Sequence, residues 1–562
     1  MRREASVVNK KVCSFPILFA LLALLIGTCA VVFPASAQAA PTSTGSITVS
    51  GTVASSYDAY QIFSANVVDG DSDAKIATDL AWASDAVRDA VLPVLHSAGM
   101  PNSQTTAQEA AEWLNTDSHL TSALSAQLAR SLQSSGAKPV ALNAGTTAEL
   151  PCGYWLIVAD DDAISQNEAG TAPIMALVGG SAVTVKPKAA TPKVQKHVLE
   201  DGAAAWQKAA DATVADDLYW RLSATVPAGL AAYDTYAVQF VDTMSAGLDP
   251  SRVAASVRVY VVAGADGGFD AVSAGKDGRA GTDPAKGWTD ITAQCATKVA
   301  ADGTFTVRTG DLIAALGGAD AFTAGARVVA VYNAPLNSAC NHGIAKGNPN
   351  QVYLRYPRSP FADQSGDAGF TRTPSDDACA YTWDLALTKR GSDGDKPLAG
   401  AVLSIADDRG RTLAADGTWN AEGKATVTTG EDGRVTVSGV DSGKLEVREL
   451  KAPKGYTAFG GTRSVTVKAE GLDVDQVAAA KPKLTITAES PLRADSADGS
   501  TGSLEASLIN TPTSTPPSIT TGGFMPSTGD MAMYAAAAAA VAGAALIVVA
   551  LLVKRGGGSH KE

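Results

Sequence analysis

Residues that commonly build metal sites are scarce in this sequence, which has 6 Cys and 5 His in 562 residues. We therefore expect no metal and no cofactor. Basic residues are outnumbered, and the resulting net charge of −12 argues against nucleic acid as a partner. The motifs G-x-S-x-G and H-E-x-x-H and the P-loop are absent as well, so the sequence does not indicate an enzyme.

The remaining composition is that of a folded, multidomain protein. Apolar residues make up 46% of the chain, which is too high a fraction for a disordered protein. At roughly 100–200 residues per domain, the length leaves room for about three or four domains.

The N-terminus has the pattern of a secretory signal. Four basic residues precede an apolar run from Val12 to Phe33, and Ala37-Gln38-Ala39 follows as a cleavage site. We predict export and removal of residues 1–39. The alternative is an N-terminal membrane anchor.

The C-terminus combines a short motif, an apolar run and a basic pair. The apolar run from Met531 to Val553 is long enough to cross a bilayer, which takes roughly 20 residues, and Lys554 and Arg555 would remain cytoplasmic. This order resembles the cell-wall sorting signal of Gram-positive surface proteins, Leu-Pro-x-Thr-Gly, from which Met525 departs. The resemblance implies that a sortase cleaves between Thr528 and Gly529; a plain tail anchor is the alternative. The motif consists of Met525, Pro526, Ser527, Thr528 and Gly529.

Four cysteines remain after the signal is removed, and their even number permits two disulfides in an exported protein. The sequence does not choose among the three pairings, and buried free thiols are the alternative. They are Cys152, Cys295, Cys340 and Cys379.

The chain between its two ends is predicted to be mainly β, as tandem β-sandwich domains. Short strands with Gly-rich turns favour sandwiches over a barrel. The first domain contains a helical insert, indicated by the capping box Thr106-x-x-Glu109 and by leucines at every fourth position from Leu120 to Leu132. The predicted segments are the signal peptide 1–39, the N-terminal domain 40–189, the middle domain 190–376, the C-terminal domain 377–512, a linker 513–524 and the sorting signal 525–562.

Polar residues lie on the core face of the predicted C-terminal strands. From Tyr381 to Leu387 every second residue is apolar, and Lys389 continues that face. Glu449 continues the face of Leu445 and Val447 in the same way, and Asn510 that of Leu504 and Leu508.

The middle domain repeats the same three residue types in the same order. Lys196 shares an apolar face with Val194 and Val198, and Asp242 shares one with Phe240. Asn350, in the predicted last strand, shares parity with Val352, and Asn348 lies one step earlier on that face.

Such buried groups must pair, neutralise or react, because an unpaired buried charge is costly. Burial lowers the pKa of a lysine and raises that of a carboxyl group, so a neutral amine would face a protonated acid. The amine can then attack the amide to form a Lys–Asn isopeptide bond, with loss of ammonia. A hydrogen-bonded polar cluster is the alternative.

The sequence around these residues resembles the major, or backbone, subunits of sortase-assembled Gram-positive pili. Leu445 to Tyr456 is similar to the E-box region of collagen-adhesin B-type domains, and Tyr57 to Ser64 to the N-terminal domain of these pilins. The stretches Phe240 to Leu248 and Gly347 to Asn350 are similar to their middle domain. The resemblance implies immunoglobulin-like domains and two isopeptide triads: Lys196 and Asn350 with the promoting acid Asp242, and Lys389 and Asn510 with Glu449. Asn348 is the alternative to Asn350.

The same resemblance implies a covalent polymer, in which sortase joins Thr528 of one subunit to a lysine of the next. The acceptor motif of the family ends in Tyr-Pro-Lys; here Lys186 replaces the tyrosine before Pro187, and we favour Lys188 as the acceptor. Lys186 and Lys193 are the alternatives, and the segment could also be a solvated basic linker.

The function predicted from the sequence is therefore that of a structural shaft subunit of a cell-wall-anchored surface pilus. Its expected partners are identical subunits, pilin and housekeeping sortases and peptidoglycan, with accessory pilins and host surface ligands as further partners. The alternative is a monomeric wall-anchored adhesin, or a tip or basal pilin, that binds host matrix or glycan.

Overall fold

The computed structural model describes residues 43–71, 74–116, 118–170, 172–187, 191–200, 205–227, 230–262, 288–322 and 325–513. Within these ranges, no helix is both long and apolar enough to span a membrane. The predicted signal peptide, the sorting signal and the apolar run before its basic tail lie outside the described residues.

The N-terminal domain combines two β-sheets with three helices. A three-stranded sheet has the order β5-β1-β8, and a larger one has the order β3-β2-β6-β7 with β4 also paired to β2. The elements are β1 (Thr44–Val49), β2 (Ser56–Asp69), β3 (Lys75–Trp82), α1 (Asp85–Ser97), α2 (Ala107–Asn115), α3 (Ser122–Ser134), β4 (Val140–Asn143), β5 (Thr147–Pro151), β6 (Gly153–Ala159), β7 (Ile174–Val178) and β8 (Val183–Val185).

The predicted helices of the insert are present, although the insert begins earlier, with α1. The capping box of Thr106 and Glu109 opens α2, and the leucines of α3 pack in the helical core of the domain. Helix α1 was not predicted; it starts at the N-cap Ser84 and contains Pro93 in its interior. Proline is unfavourable inside a helix, so the sequence pattern points away from this element.

The middle domain is a sandwich of two sheets. One has the order β10-β9-β12-β18-β14-β15, and the other β11-β21-β19-β13-β17-β16 with β20 paired to β19. The elements are β9 (Val194–Glu200), β10 (Ala205–Gln207), β11 (Ala209–Asp211), β12 (Tyr219–Thr225), β13 (Gln239–Met244), α4 (Val253–Ser256), β14 (Arg258–Val262), β15 (Trp288–Asp290), β16 (Ala296–Val299), β17 (Thr304–Arg308), α5 (Leu312–Ala315), β18 (Arg327–Asn333), β19 (Asn348–Pro357), β20 (Phe370–Arg372) and β21 (Asp376–Tyr381).

The C-terminal domain is a second sandwich. Its sheets have the orders β27-β22-β33-β29, with β32 paired to β33, and β25-β24-β23-β28-β30-β31, with β26 paired to β23. The elements are β22 (Trp383–Gly391), β23 (Val402–Ala406), β24 (Thr412–Leu413), β25 (Trp419–Asn420), β26 (Val427–Thr428), β27 (Arg434–Val440), β28 (Gly443–Lys451), β29 (Tyr456–Thr457), β30 (Thr462–Glu470), β31 (Lys483–Ala488), β32 (Leu492–Asp498) and β33 (Ser503–Pro512).

Alternating burial confirms the predicted β-sandwich pattern. Along β22 every second residue from Trp383 to Lys389 is buried, and these side chains pack against apolar residues of the opposite sheet such as Leu403 and Val447. The predicted run from Tyr381 to Lys389 is interrupted at Thr382. Tyr381 ends β21, which pairs with β19 of the middle domain, and Trp383 begins the C-terminal domain.

Candidate functional site in the middle domain

Lys196 lies in the interior of the middle sandwich, on β9. Alternation along this strand turns it inward with Val194 and Val198, and its side chain is 0% exposed. Its ammonium group contacts the Asp242 carboxylate and lies 2.8 Å from the Tyr332 hydroxyl oxygen. The structure therefore brings the predicted lysine and acid into direct contact.

Asp242 and Asn350 reach the same point from the opposite sheet. They lie on the adjacent antiparallel strands β13 and β19, and both are 0% exposed. Asn350 donates from Nδ2 to the Tyr332 hydroxyl at 2.8 Å. The prediction that Asn350 lies in the last strand is wrong, because β20 and β21 follow it and both pair with β19.

Tyr332 completes this cluster and was missed by the sequence reasoning. It lies on β18, donates its hydroxyl proton to Asp242 Oδ2 at 3.0 Å and accepts from the two nitrogens. Its parity with Val328 and Ala330 signals a core face, but a buried tyrosine in a strand is an ordinary core residue. Pattern alone therefore gave no reason to single it out.

Electrostatics of this cluster favour uncharged forms. Burial lowers the pKa of Lys196 to about 8, against the opposing effect of the nearby Asp242 carboxylate. Burial raises the pKa of Asp242, with Lys196 opposing the shift, and raises that of Tyr332 well above its usual range. A neutral amine beside a protonated acid is the state that desolvation promotes.

Asn348, the alternative to Asn350, is occupied elsewhere. Its Nδ2 donates to the carbonyl oxygens of Asn341 at 2.9 Å and Ala380 at 3.2 Å, and its Oδ1 accepts from the Asn341 amide at 2.8 Å. By contrast, Asn350 Oδ1 and Asp242 Oδ1 are buried with no hydrogen-bond partner among the described residues. Of the two asparagines, Asn350 is therefore the one whose amide contacts the cluster of Lys196, Asp242 and Tyr332.

Candidate functional site in the C-terminal domain

The C-terminal cluster gathers Lys389, Glu449 and Asn510, as the parity of their strands predicts. Lys389 is 0% exposed, Asn510 2% and Glu449 6%. The Lys389 ammonium lies 3.7 Å from Glu449 Oε1 and donates to the Leu508 carbonyl oxygen at 3.1 Å. Asn510 Nδ2 lies 2.9 Å from Glu449 Oε1 and 3.1 Å from Oε2.

Burial perturbs this second lysine in the same direction as the first. Desolvation lowers the pKa of Lys389 to about 8, although the Glu449 carboxylate opposes the shift. Asn510 Oδ1 is buried and has no hydrogen-bond partner within the described part of the chain. The amide is therefore held through its nitrogen while its carbonyl oxygen remains available for polarisation.

The two clusters differ in how the strands supply them. In the C-terminal domain Lys389 and Asn510 lie on β22 and β33, which are parallel neighbours in one sheet, and Glu449 faces them from β28 of the other. In the middle domain the lysine strand β9 and the asparagine strand β19 belong to opposite sheets. The lysine and the asparagine are therefore neighbours within one sheet in the C-terminal domain, but face each other from opposite sheets in the middle domain.

A buried lysine alone does not make such a cluster. Lys75 of the N-terminal domain is 9% exposed, but its ammonium donates to the carbonyl oxygens of Gly179 and Ser181 and lies 3.6 Å from Asp69. These contacts are those of a hydrogen-bonded, ion-paired lysine. The joint presence of an acid and a buried amide distinguishes the other two sites.

The cysteines do not form the predicted possible disulfides; all four are free thiols. Cys152 lies in the N-terminal domain, and Cys295, Cys340 and Cys379 lie in the middle domain. Burial raises the pKa of Cys295 and of Cys379 to about 11, which keeps these thiols protonated and weakly nucleophilic.

The residues predicted for polymerisation lie mostly outside the described part of the chain. This holds for Lys188 and for the whole sorting motif, including Thr528. The two alternative acceptors, Lys186 and Lys193, are described and both are exposed. Strand β8, directly before Lys186, pairs in parallel with β1.

Comparison with known proteins identifies the C-terminal domain and a surface-protein relative. Residues 384–481 match the family model SpaA, which is described as a prealbumin-like fold domain. The trypsin-resistant surface T6 protein of Streptococcus pyogenes serotype M6 is 30% identical over 143 residues, which are 24% of this chain and 24% of that protein. The match thus spans about a quarter of the relative's length.

Solved structures with a similar arrangement include two pilins. The T6 backbone pilin of serotype M6 Streptococcus pyogenes matches with a TM-score of 0.46 and 17% identity, over 84% of this chain and 98% of its own. The major pilin SpaD of Corynebacterium diphtheriae matches with a TM-score of 0.41 and 15% identity, over 84% and 98%.

Proposed function

We propose that this chain is the shaft subunit of a covalently polymerised, cell-wall-anchored pilus whose middle and C-terminal domains are each closed by an internal Lys–Asn isopeptide bond. The observation that carries the proposal is the pair of buried clusters, each with a lysine, an acid and an asparagine amide. Burial leaves these groups without solvent to stabilise their charges, so bond formation removes a costly feature of each core.

The proposed bond chemistry follows from the state of each group. The neutral Lys389 amine attacks Cγ of Asn510, while Glu449, whose carboxyl oxygens contact Nδ2, passes a proton from the amine to that leaving nitrogen. A new C–N bond forms, the bond from Cγ to Nδ2 breaks, and ammonia leaves with one proton from the lysine. Lys196 and Asn350 react likewise with Asp242 as the acid. Each reaction happens once per chain, so the protein is its own substrate and not a turnover enzyme.

The proposed bonds would allow each domain to resist mechanical tension. A fibre on a cell surface transmits tension through every subunit, and hydrogen-bonded strands separate under load. A covalent bond between strands prevents that separation. The T6 relative is named as trypsin-resistant, and we expect the same resistance here, because a bonded sandwich exposes few cleavable segments.

Polymerisation and anchoring are proposed from the sequence motifs. A pilin sortase would transfer the acyl group of Thr528 to Lys188 of the next subunit, and a housekeeping sortase would attach the finished fibre to peptidoglycan. Lys186 and Lys193, which lie before and after Lys188 in the sequence, are both exposed. Their exposure supports an acceptor region that a sortase can reach.

Intact-mass measurement of the exported chain tests the internal bonds. We expect the wild type to be lighter than its sequence by two ammonia molecules, and Glu449→Ala to be lighter by one. Glu446→Ala is a matched control, because Glu446 lies on the same strand but faces solvent. A wild-type mass equal to that of the unmodified chain would refute both bonds.

A surface extract boiled in denaturant tests the polymer. We expect a ladder of covalent multimers that disappears with Lys188→Ala and persists with Lys186→Ala or Lys193→Ala. Loss of the ladder in one of those two variants instead would reassign the acceptor. A single monomer band from the wild type would support the monomeric adhesin and contradict the shaft subunit.

A further inference from the structure

The hydroxyl group of Tyr332 lies between the two nitrogens that exchange places when the middle bond forms. It is 2.8 Å from Lys196 Nζ, the attacking atom, and 2.8 Å from Asn350 Nδ2, the leaving atom. It also donates to Asp242 Oδ2 at 3.0 Å, and the side chain is fully buried. No other hydroxyl group among the described residues is recorded in contact with both nitrogens.

We propose that Tyr332 is a catalytic residue of the middle domain, whose hydroxyl group carries a proton from Lys196 Nζ to Asn350 Nδ2 during bond formation. This inference rests on the proposed Lys–Asn bond, because without that reaction no proton has to move. It assigns a role to a fourth residue beside the lysine, the acid and the asparagine.

Comparison with the C-terminal cluster shows why the middle domain needs this group. There, both oxygens of Glu449 contact the leaving nitrogen of Asn510, and Oε1 also lies 3.7 Å from the lysine nitrogen. In the middle domain the shorter Asp242 contacts the lysine, but Asn350 Nδ2 donates to the tyrosine hydroxyl. The hydroxyl therefore occupies the position that the longer acid fills in the other domain.

The proton transfer balances without any further reactant. When Nζ attacks Cγ of Asn350, the new bond leaves Nζ positively charged, and Nδ2 gains a lone pair as amide resonance is lost. Nζ passes a proton to the Tyr332 oxygen while the hydroxyl proton moves to Nδ2. The Cγ–Nδ2 bond then breaks, ammonia leaves, and the tyrosine is regenerated with one hydroxyl proton.

The surroundings hold this hydroxyl in place and keep it protonated. Phe305 packs edge-on against the Tyr332 ring with 4.5 Å between ring centroids, and β18 lies inside its sheet between β12 and β14. Burial raises the pKa of the phenol well above its usual value, so the group enters the reaction with its proton. A fixed, neutral hydroxyl is suited to accept one proton and release another.

Cell-free synthesis of the full chain, stopped after a short pulse and followed by peptide mass analysis, measures the rate of each bond. We expect Tyr332→Phe to slow the Lys196–Asn350 bond by about 100-fold or more, the lower end of what acid–base catalysis supplies. The Lys389–Asn510 bond of the same molecules is the internal control and should keep its rate. Formation of the middle bond at the wild-type rate in Tyr332→Phe would overturn the inference.

A second measurement covers the case in which Tyr332→Phe does not fold. The wild-type sequence is synthesised with 3-fluorotyrosine in place of all 13 tyrosines, which makes the phenol more acidic and leaves its contacts in place. A changed rate for the middle bond alone supports proton transfer through Tyr332, and an unchanged rate contradicts it. Absence of the middle bond from the ordinary wild type would instead refute the proposed bond itself, which separates the two failures.

Discussion

At the scale of single residues, the lysines of the two clusters are costly groups to bury. Lys196 and Lys389 are each 0% exposed and have a pKa lowered to about 8 by burial. A lysine in water keeps its proton up to about pH 10.4, so folding opposes the ordinary charge state of both side chains. The cost disappears when the amine becomes part of a neutral amide.

This cost predicts a pH dependence in a chain that cannot form the C-terminal bond. In Asn510→Ala, folded Lys389 titrates near pH 8 while the unfolded chain keeps the ordinary value of 10.5. Between these two values the unfolded state binds more protons, so stability rises with pH by about 2–3 kcal/mol. Denaturant unfolding of the C-terminal domain from pH 7 to 10.5 measures this rise.

The control for that experiment replaces the titrating group itself. The double variant Asn510→Ala, Lys389→Met keeps the apolar stem of the side chain but has no amine. We expect its stability to lack the rise above pH 8. An equal rise in both variants would show that other groups cause it.

Sequence patterning predicted the buried polar residues of the middle cluster better than it predicted their neighbours. Strand alternation places Lys196, Asp242 and Asn350 on core faces, and all three are buried. Asn348 has the same parity as Asn350, so alternation cannot separate them; the loop carrying Asn341 does, by occupying the Asn348 amide. Tyr332 was not predicted, because its polar contacts are with Asp242 and Asn350 on the opposite sheet, and strand alternation carries no information about those partners.

At the scale of strands, one proposed bond would join two strands of the same sheet, and the other would join strands of two opposite sheets. The C-terminal bond joins β22 and β33, the first and last strands of that domain and parallel neighbours in one sheet. The middle bond joins β9 to β19 across the gap between two sheets. The first resists shearing of neighbouring strands, and the second resists separation of the layers.

The C-terminal bond should therefore stabilise its domain strongly. It would close a loop of more than a hundred residues, and a cross-link of a 100-residue loop is worth about 4.7 kcal/mol in the chain-entropy estimate used for disulfides. We expect Asn510→Ala to lower the free energy of unfolding by about 4–5 kcal/mol, measured by denaturant titration at pH 7. Thr511→Ala, a change at an exposed neighbour on the same strand, should have little effect.

Element prediction succeeded where local chemistry decides the structure and failed where long-range pairing does. The capping box of Thr106 fixes the start of α2 locally, and alternation fixes the core face of β22. The break at Thr382 was not visible, because apolar alternation continues through it and the chain changes sheets there. Sheet membership depends on partners far away in sequence.

At the scale of the whole molecule, polar contacts join each pair of consecutive domains. Between the first two, Arg130 pairs with Asp234 at 3.1 Å, and the Tyr356 hydroxyl donates to the Asn167 carbonyl oxygen at 2.9 Å. Between the last two, Trp383 Nε1 donates to Asp211 at 2.6 Å, and Asp216 accepts from both Arg409 and Arg411. A subunit under tension requires such contacts, since a loose junction would bend under load.

The junction of the last two domains gives a test of that stiffness. The backbone amide of Val214, in the middle domain, donates to the carbonyl oxygen of Gly439, in the C-terminal domain, so its hydrogen exchange reports opening of the junction.

We expect Asp216→Ala to accelerate exchange at the Val214 amide by about 30-fold, because losing charged hydrogen bonds costs about 2 kcal/mol. Arg434→Ala is the matched control, since Arg434 pairs with Glu505 at 3.2 Å on the exposed surface of the C-terminal domain. Its removal should leave exchange at the junction unchanged. If Asp216→Ala also leaves that rate unchanged, the arginine contacts do not hold the two domains together, and the stiffness of the subunit must come from the covalent bonds within each domain.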